Sequence, residues 1–467
     1  MKYVYRILNA SVNPETLARH RQTKMILESA STQKMKGRYS IVAFDKSGEL
    51  KLTEHALEVT LGADTTTITH QPFEALKEKV AMYQHDIHDE ALQPLPFVSG
   101  FIGAFSFDVV RHAFPVLKET PIEENGTDVH LYMVESAYIF DHYKEQIYVI
   151  TTNLFSGIDE TKLNERLQKM ITEFENVQLF DFDEPSNALP REIETSEADD
   201  QFLQQVSYFK SLTQQGDVFQ IVPSRIYRYR HHFGDKRAAY SYRLYQNLKR
   251  KNPSPYMFYM NMDDQILVGS SPESFVKVEG DTVMTNPIAG TARRGQTYEE
   301  DQQLEQELLK DEKEISEHSM LVDLGRNDIL RIAQPGSLEI PKLMLIERYE
   351  HVMHIVSEVT GKINPSLSVI DIIASLLPTG TVSGAPKLRA IQRIYEQKPV
   401  KRGVYSGGVG YINCNGDLDL ALAIRTMVID DTYVNVEAGC GVVYDSVPEK
   451  ELKETRLKAQ SLLEVSL

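Results

Sequence analysis

The run Tyr433-Val-Asn-Val-Glu437-Ala-Gly439-Cys-Gly441-Val-Val-Tyr-Asp445-Ser-Val-Pro448-Glu-Lys-Glu451-Leu-Lys-Glu454 leaves a chain few ways to fold. Residues 433 to 437 are β-prone and predict a strand. Gly439 and Gly441 lack a Cβ, so another group can approach the main chain closely where the strand ends. Ser446 and Pro448 then predict a helix start, with Ser446 as N-cap and Pro448 at the first helical position. Glu451 and Glu454 are three apart and therefore neighbours on that helix, near its positive end, where acidic side chains are favoured.

The segment Asp311-Glu-Lys-Glu314-Ile-Ser-Glu317-His-Ser-Met-Leu321-Val-Asp-Leu324-Gly-Arg-Asn327-Asp328 repeats the device. Ile315, Leu321 and Leu324 can bury while Glu314 and Glu317 project together from one side. If both helices face a common cleft, the carboxylates converge. Two unit charges about 4 Å apart cost on the order of 4 kcal/mol at an effective dielectric near 20, so they must take up protons or hold a cation. A few oxygen ligands suit Mg²⁺, which completes its shell with water and substrate oxygens. The same spacing also fits a solvated helix face, and the two readings divide on whether the helices meet.

The 467 residues are 42% hydrophobic and 25% charged, which fits a soluble globular chain of two or three compact units. The start, Met1-Lys-Tyr-Val-Tyr-Arg, has no signal-peptide core, and no run approaches the ~18 apolar residues of a membrane span, so a cytoplasmic protein is expected. With only Cys414 and Cys440, neither a disulfide framework nor a cysteine-based metal site is expected. A net charge of −17 argues against a nucleic-acid or anionic-membrane surface. An anionic substrate would need local Arg, Lys, backbone amides or a metal.

Along the chain, Pro14 to Met25 predicts a helix, Arg38 to Phe44 a strand and Phe97 to Phe107 a strand with two glycines. Residues 138 to 142 and 146 to 151 predict a hairpin, and Leu163 to Phe174 a helix. Residues 183 to 200 are polar and acidic and predict a linker, dividing an N-terminal region, 1 to 182, from a second region, 201 to 467. In the second region Phe202, Val206, Phe209 and Leu212 predict a helix ended by Gly216. An extended stretch follows at 217 to 225, where Pro223 predicts an edge or bulge. Next come a helix at 238 to 250, strands at 256 to 260, 265 to 270 and 274 to 278, and a turn from Asn286 to Thr291.

Three pieces invite over-reading. Gly380-Thr381-Val-Ser383-Gly384-Ala-Pro386-Lys387 has glycines too close for a P-loop and no Ser or Thr after the lysine. It predicts instead a helix start capped by Ser383, a terminus able to receive a carboxylate. His351-Val-Met-His354 lies in a predicted strand, where residues three apart face opposite ways, so at most one histidine enters a given site. Gly403 to Ile412 predicts a glycine-rich strand with a ligand or another backbone close by.

Taken together and in this order, the segments resemble one family. Gln220-Ile-Val-Pro-Ser-Arg225, Ser271-Pro-Glu273-Ser, Pro287-Ile-Ala-Gly-Thr291, Glu314 to Asp328, His351 to Gly361, Leu377 to Lys387 and Glu437-Ala-Gly-Cys-Gly441 resemble the chorismate-utilising enzymes, and among them the component I branch of the anthranilate synthases. The resemblance is dense over 200 to 467 and sparser before it. It implies an α+β fold, a complex α/β sandwich of antiparallel sheets packed together with helices outside and the active site in a central cleft.

Residue by residue, the resemblance places Mg²⁺ on Glu317 and Glu454, with Glu314 and Glu451 reached through water. It places chorismate contacts on Gly290, Thr291, Tyr405, Arg425, Gly439 and Gly441, with Glu273 and Thr381 near the reacting ring. His354 matches the histidine associated with departure of the ring hydroxyl. Isochorismate and salicylate synthases use a lysine base where this chain has Gln220, and aminodeoxychorismate synthases carry lysine where it has Ala289, so ammonia and anthranilate are implied. The family turn has Arg directly after Thr291; here Ala292 precedes Arg293 and Arg294. Cys440 lacks a histidine after His354 to act as a glutaminase, so a separate glutamine amidotransferase subunit is implied, in a two-plus-two assembly. Glu28 and Ser29 with Pro255, Tyr256 and Met257 resemble the family's tryptophan pocket, implying feedback inhibition by L-tryptophan. A chain that only binds tryptophan and scaffolds the amidotransferase is the alternative, and the intact Glu317, Glu454, His354 and Arg425 argue against it.

Overall fold

The computed structural model describes residues 1–19, 21–29, 37–178, 192–348 and 352–467. Among the described residues, β-prone runs form two large sheets, one of eleven strands and one of twelve. Strands such as Gly100–Phe105 and Val129–Val134 are buried along their whole length, as expected when both faces of a sheet are covered. Ile41, Ile139, Phe258 and Leu267 of the first sheet pack on Ile102, Tyr132, Val409 and Ala421 of the second. Helices cover the outer faces. Glu160–Glu175, Arg237–Lys251 and Pro448–Leu463 lie on the first sheet, and Pro72–Met82, Glu312–Leu330 and Val369–Leu376 on the second. The result is the expected α+β sandwich of antiparallel sheets.

Both ends of the chain build both sheets. In the first, Met25–Glu28 pairs with Tyr256–Met262, Glu28 opposite Met257. In the second, Gly100–Phe105 pairs with Gly408–Asn413.

Several local expectations are corrected. The first helix covers only Pro14–Ala18, and Met25–Glu28 is a strand held between two others. Residues 183 to 191 of the predicted linker lie outside the described residues, but Glu194–Thr195 pairs with Ser224–Arg230 and the helix Asp199–Gln214 has already begun by 200. The turn from Asn286 is in fact a strand, Ile288–Arg293, whose register breaks between Ala289 and Thr291, with Gly290 at φ +75°. Ser446 does not cap the last helix: its hydroxyl accepts from the Val443 amide, and Val447 occupies the cap. Ser383 caps nothing either, since it closes the short helix Gly380–Ser383 and donates to the Thr379 carbonyl. The glycine-rich strand begins only at Gly408, and what lies close is backbone. A Cβ at Gly407 would meet the Phe105 carbonyl at 2.0 Å and one at Gly410 the Asp419 carbonyl at 2.1 Å.

Candidate active site

Helix Glu312–Leu330 starts cleanly because the Asp311 carboxylate accepts from the amides of Lys313 and Glu314. Its buried face carries Leu321, Val322 and Ile329, and His318 Nε2 shares a 2.7 Å hydrogen bond with Ser357 Oγ of strand Val352–Lys362. Glu314, one turn before His318, is half-buried on the same side toward strand Ile288–Arg293, and Glu317 is exposed at the edge of that face. Helix Pro448–Leu463 buries Leu452, Thr455, Ala459 and Leu462, with Thr455 Oγ1 2.8 Å from Tyr227 OH. Glu451, Glu454 and Lys458 are left facing the first helix.

The four glutamates converge. Partial burial and then the charges of Glu314 and Glu454 raise the Glu317 pKa. Burial, and beyond it the charge of Glu454, does the same to Glu451. Glu454 thus acts on Glu317 of the facing helix, an arrangement that gains from a cation between the two, and all-oxygen donors fit Mg²⁺. Among the described residues the one group whose possible ligand atoms all lie within 4.8 Å of one another is not the four glutamates but Glu54, His112 and Asp128. There Lys401 and His112 already hold Asp128 at 2.7 and 2.9 Å, and Lys118 holds Glu54 at 2.9 Å, so it is a neutralised ion-pair network.

Around the glutamates stand most of the residues singled out in the sequence. Gly290 lies beside them: a Cβ there would come within 3.4 Å of Glu314 Oε2 and 2.9 Å of Ile355 Cδ1. His354 Nδ1 is 3.2 Å from the Gly290 carbonyl and 3.0 Å from Thr291 Oγ1. A carbonyl can only accept, so the hydrogen-bond network assigns the proton to Nδ1. Burial lowers the His354 pKa against the opposing pull of Gly290 and Glu347, which keeps the ring neutral near pH 7. His351 falls outside the described residues.

Glu273 accepts a 3.2 Å hydrogen bond from Thr381 Oγ1. Burial raises its pKa to about 7, with Thr381 and Lys458 pulling the other way. The short helix carrying Thr381 packs on the first glutamate helix at Gly380, where a Cβ would lie 2.6 Å from Leu324 Cδ1. Tyr405 OH is 2.8 Å from where a Gly439 Cβ would stand, and burial pushes the phenol up to about 12. Arg425, at φ +51°, donates to Ser461 Oγ at 3.3 Å and lies in the field of Tyr405 and Glu454. Gln220 Nε2 is 3.1 Å from where a Gly441 Cβ would be. One connected surface therefore holds the glutamates, Gly290, Thr291, His354, Glu273, Thr381, Arg425, Tyr405, Gly439, Gly441 and Gln220.

The two arginines after Ala292 turn away from it. Arg293 bonds Glu300 at 2.6 Å and Arg294 bonds Asp301 at 2.8 Å, both on helix Tyr298–Leu308. The second cluster forms elsewhere, at the seam of the first sheet. Glu28 lies opposite Met257, with Ser29, Pro255 and Tyr256 at the strand ends. The Glu28 carboxylate already accepts from Lys249 Nζ at 2.8 Å and from the Tyr245 hydroxyl. Sequence reasoning missed Lys458 and Arg402. Lys458 follows Glu454 at helical i,i+4 spacing, a visible signal; Arg402 stacks 5.7 Å from the Tyr405 ring and bonds the Val222 and Val382 carbonyls, which no local pattern announces.

Residues 24–464 match the chorismate binding enzyme family. The chain is 42% identical over 450 residues to anthranilate synthase component 1 of Lactococcus lactis subsp. lactis, covering 95% of this chain and 94% of that protein. It is 40% identical to the component 1 protein of Aquifex aeolicus, covering 95% and 89%. The crystal structure of anthranilate synthase component I from Streptococcus pneumoniae matches with a TM-score of 0.80 at 36% identity, over 92% of this chain and 93% of that one. On the family match, these identities and the shared fold, this protein belongs to the chorismate-binding enzymes, in the anthranilate synthase component 1 branch.

Proposed function

We propose that the chain converts chorismate and ammonia to anthranilate and pyruvate, the entry reaction of tryptophan biosynthesis. The observation that carries this reading is the convergence of Glu314, Glu317, Glu451 and Glu454 beside Gly290 and Arg425. Chorismate is a dianion, and a cleft lined by glutamates would repel it without a cation. Glu317 and Glu454, with Glu314 and Glu451 beside them, would hold Mg²⁺, which would supply the positive charge that neutralises the ring carboxylate. Arg425 pairs with the enolpyruvyl carboxylate, while the bare backbone at Gly290, Gly439 and Gly441 lets the ring lie close.

In the first step ammonia bonds to a ring carbon and the ring hydroxyl departs as water, carrying a proton from the enzyme. Two groups can supply it. His354, neutral at rest, must first be loaded at Nε2, which an adjacent dianion favours. Glu273, at about 7, already holds a proton in part of the molecules. In the second step the ring loses a proton and the enolpyruvyl C–O bond breaks, releasing pyruvate as the ring becomes aromatic. Buried Gln220 holds the place of a water-activating lysine and leaves the cleft without that base. A glutamine amidotransferase subunit delivers the ammonia, and L-tryptophan inhibits from the seam formed by Glu28, Ser29 and Tyr256, its ammonium sharing Glu28 with Lys249.

The test is anthranilate fluorescence from purified chain, chorismate, ammonium and Mg²⁺, repeated with EDTA and with L-tryptophan. Metal-dependent anthranilate supports the reaction. Chorismate consumed to another product refutes it, and no consumption with tryptophan still bound favours the scaffold alternative. His354→Met should stop formation of the aminated intermediate, and normal turnover of that variant would remove the histidine from the mechanism.

A further inference from the structure

Among the described residues, Lys458 is the one cation that touches both a carboxylate of the glutamate cluster and the main chain of the strand end opposite. Its Nζ stands 2.6 Å from Glu454 Oε1 and donates to the Gly439 carbonyl at 2.9 Å. Its charge also acts on Glu273, Glu317 and Glu451. An ordinary i,i+4 pair on a helix face touches nothing beyond that helix. This one bridges from helix Pro448–Leu463 to the end of strand Tyr433–Gly439, across the mouth of the carboxylate cluster.

We propose that Lys458 is a resident counter-ion that occupies the cation site of the metal-free protein and is displaced from Glu454 when a divalent ion binds. The inference rests on the metal reading of the four glutamates. Its physical basis is charge: Glu314, Glu317, Glu451 and Glu454 cannot all stay ionised together uncompensated. An ammonium on one glutamate oxygen and a divalent ion on the same carboxylate repel each other, so the two compete. Lys458 thereby holds the cleft together between turnovers at the expense of metal affinity, and it is a positioning residue acting through Glu454.

The experiment titrates Mn²⁺ into the purified chain without substrate, reading free Mn²⁺ by electron paramagnetic resonance. Lys458→Gln removes the charge and keeps a donor; Lys458→Arg keeps the charge. K458Q should bind Mn²⁺ on the order of tenfold more tightly than wild type, less so at high salt, with K458R close to wild type. Unchanged or weaker binding in K458Q overturns the proposal and makes the lysine an orienting group for Glu454. If wild type binds no more Mn²⁺ than Glu317→Gln, the metal reading itself fails and the proposal falls with it. A measurement on unmodified protein stands beside the variants: saturating Mg²⁺ should raise several-fold the rate at which acetic anhydride labels Lys458, followed by mass spectrometry. Slower or unchanged labelling overturns the displacement.

Discussion

Glu273 is the group whose behaviour depends most on the fold and least on its local sequence, so Glu273→Gln is the sharpest test of the cleft. Its carboxyl titrates near 4.5 when unperturbed and at about 7 in the folded protein, because burial opposes the charge more than Thr381 and Lys458 support it. The folded state therefore binds more protons than the unfolded state between those values, and stability falls as pH rises through that window. The full displacement corresponds to ~3 kcal/mol at ~1.4 kcal/mol per tenfold change in proton affinity, reduced to ~1–3 kcal/mol by solvent at the open edge of the cleft. Glutamine keeps the shape and can still accept from Thr381, but it never ionises. Urea midpoints of wild type and E273Q, measured side by side in EDTA, should diverge from roughly pH 5 upward. The gap in favour of E273Q should stop growing above roughly pH 8. Glu317 and Glu451 titrate in both proteins and cancel from the difference. A gap that stays constant with pH, or one that turns against E273Q in alkali, would refute the reasoning, since it would mean an ionised Glu273 paired with Lys458.

The remaining predictions address other parts of the molecule. Glu317→Gln should lower anthranilate formation by on the order of a hundredfold or more and abolish its response to Mg²⁺; a normal metal titration would remove the glutamates from the site. Ser29→Phe should weaken inhibition by L-tryptophan and leave turnover largely intact. Because the chain contains no tryptophan, the ligand's own indole fluorescence reports its binding directly. Lys387→Met should cost about 3–5 kcal/mol in denaturation, because buried Asp328, 2.7 Å away, loses its partner. The double variant with Asp328→Leu should regain most of that loss, and failure to do so would show the pair does more than neutralise itself.

What the sequence revealed and what it hid divide along physical lines. The strand Tyr433–Gly439 and the two glutamate helices were legible because β-prone runs, helical periodicity and Pro448 at a helix start are local signals. Their convergence was implied by family resemblance, since from spacing alone a solvated face is the commoner outcome. Helix was expected as far as Met25; there the pairing of strand Met25–Glu28 on both sides, with Tyr256–Met262 and Tyr39–Ala43, overrides local preference. Ser446 and Ser383 are good cap residues that spend their hydroxyls on nearby backbone instead, on the Val443 amide and the Thr379 carbonyl. The proton on Glu273 was invisible for a different reason, since it comes from burial by residues far away in sequence.

The interleaving of the two ends of the chain bears on regulation as well as on folding. Residues 201 to 467 carry all the candidate catalytic groups, yet their strands Tyr256–Met262 and Gly408–Asn413 each need an N-terminal partner, Met25–Glu28 and Gly100–Phe105. Without those partners, two long apolar strand edges would face water and invite aggregation, so the catalytic elements cannot be separated from the first 182 residues without exposing them. The same seam carries Glu28, Ser29 and Tyr256. Tyr256 lies directly opposite Ser271, and Ser271 Oγ bonds the Leu422 carbonyl at 2.7 Å and shares a 3.3 Å contact with the Glu273 amide. A ligand that shifts the start of strand Tyr256–Met262 therefore has Ser271 as its first neighbour and Glu273 two residues further on. On the proposed function, inhibition from the seam would need no long-range relay: displacing one strand end would be enough to move Glu273, one of the two groups able to supply the reaction's proton.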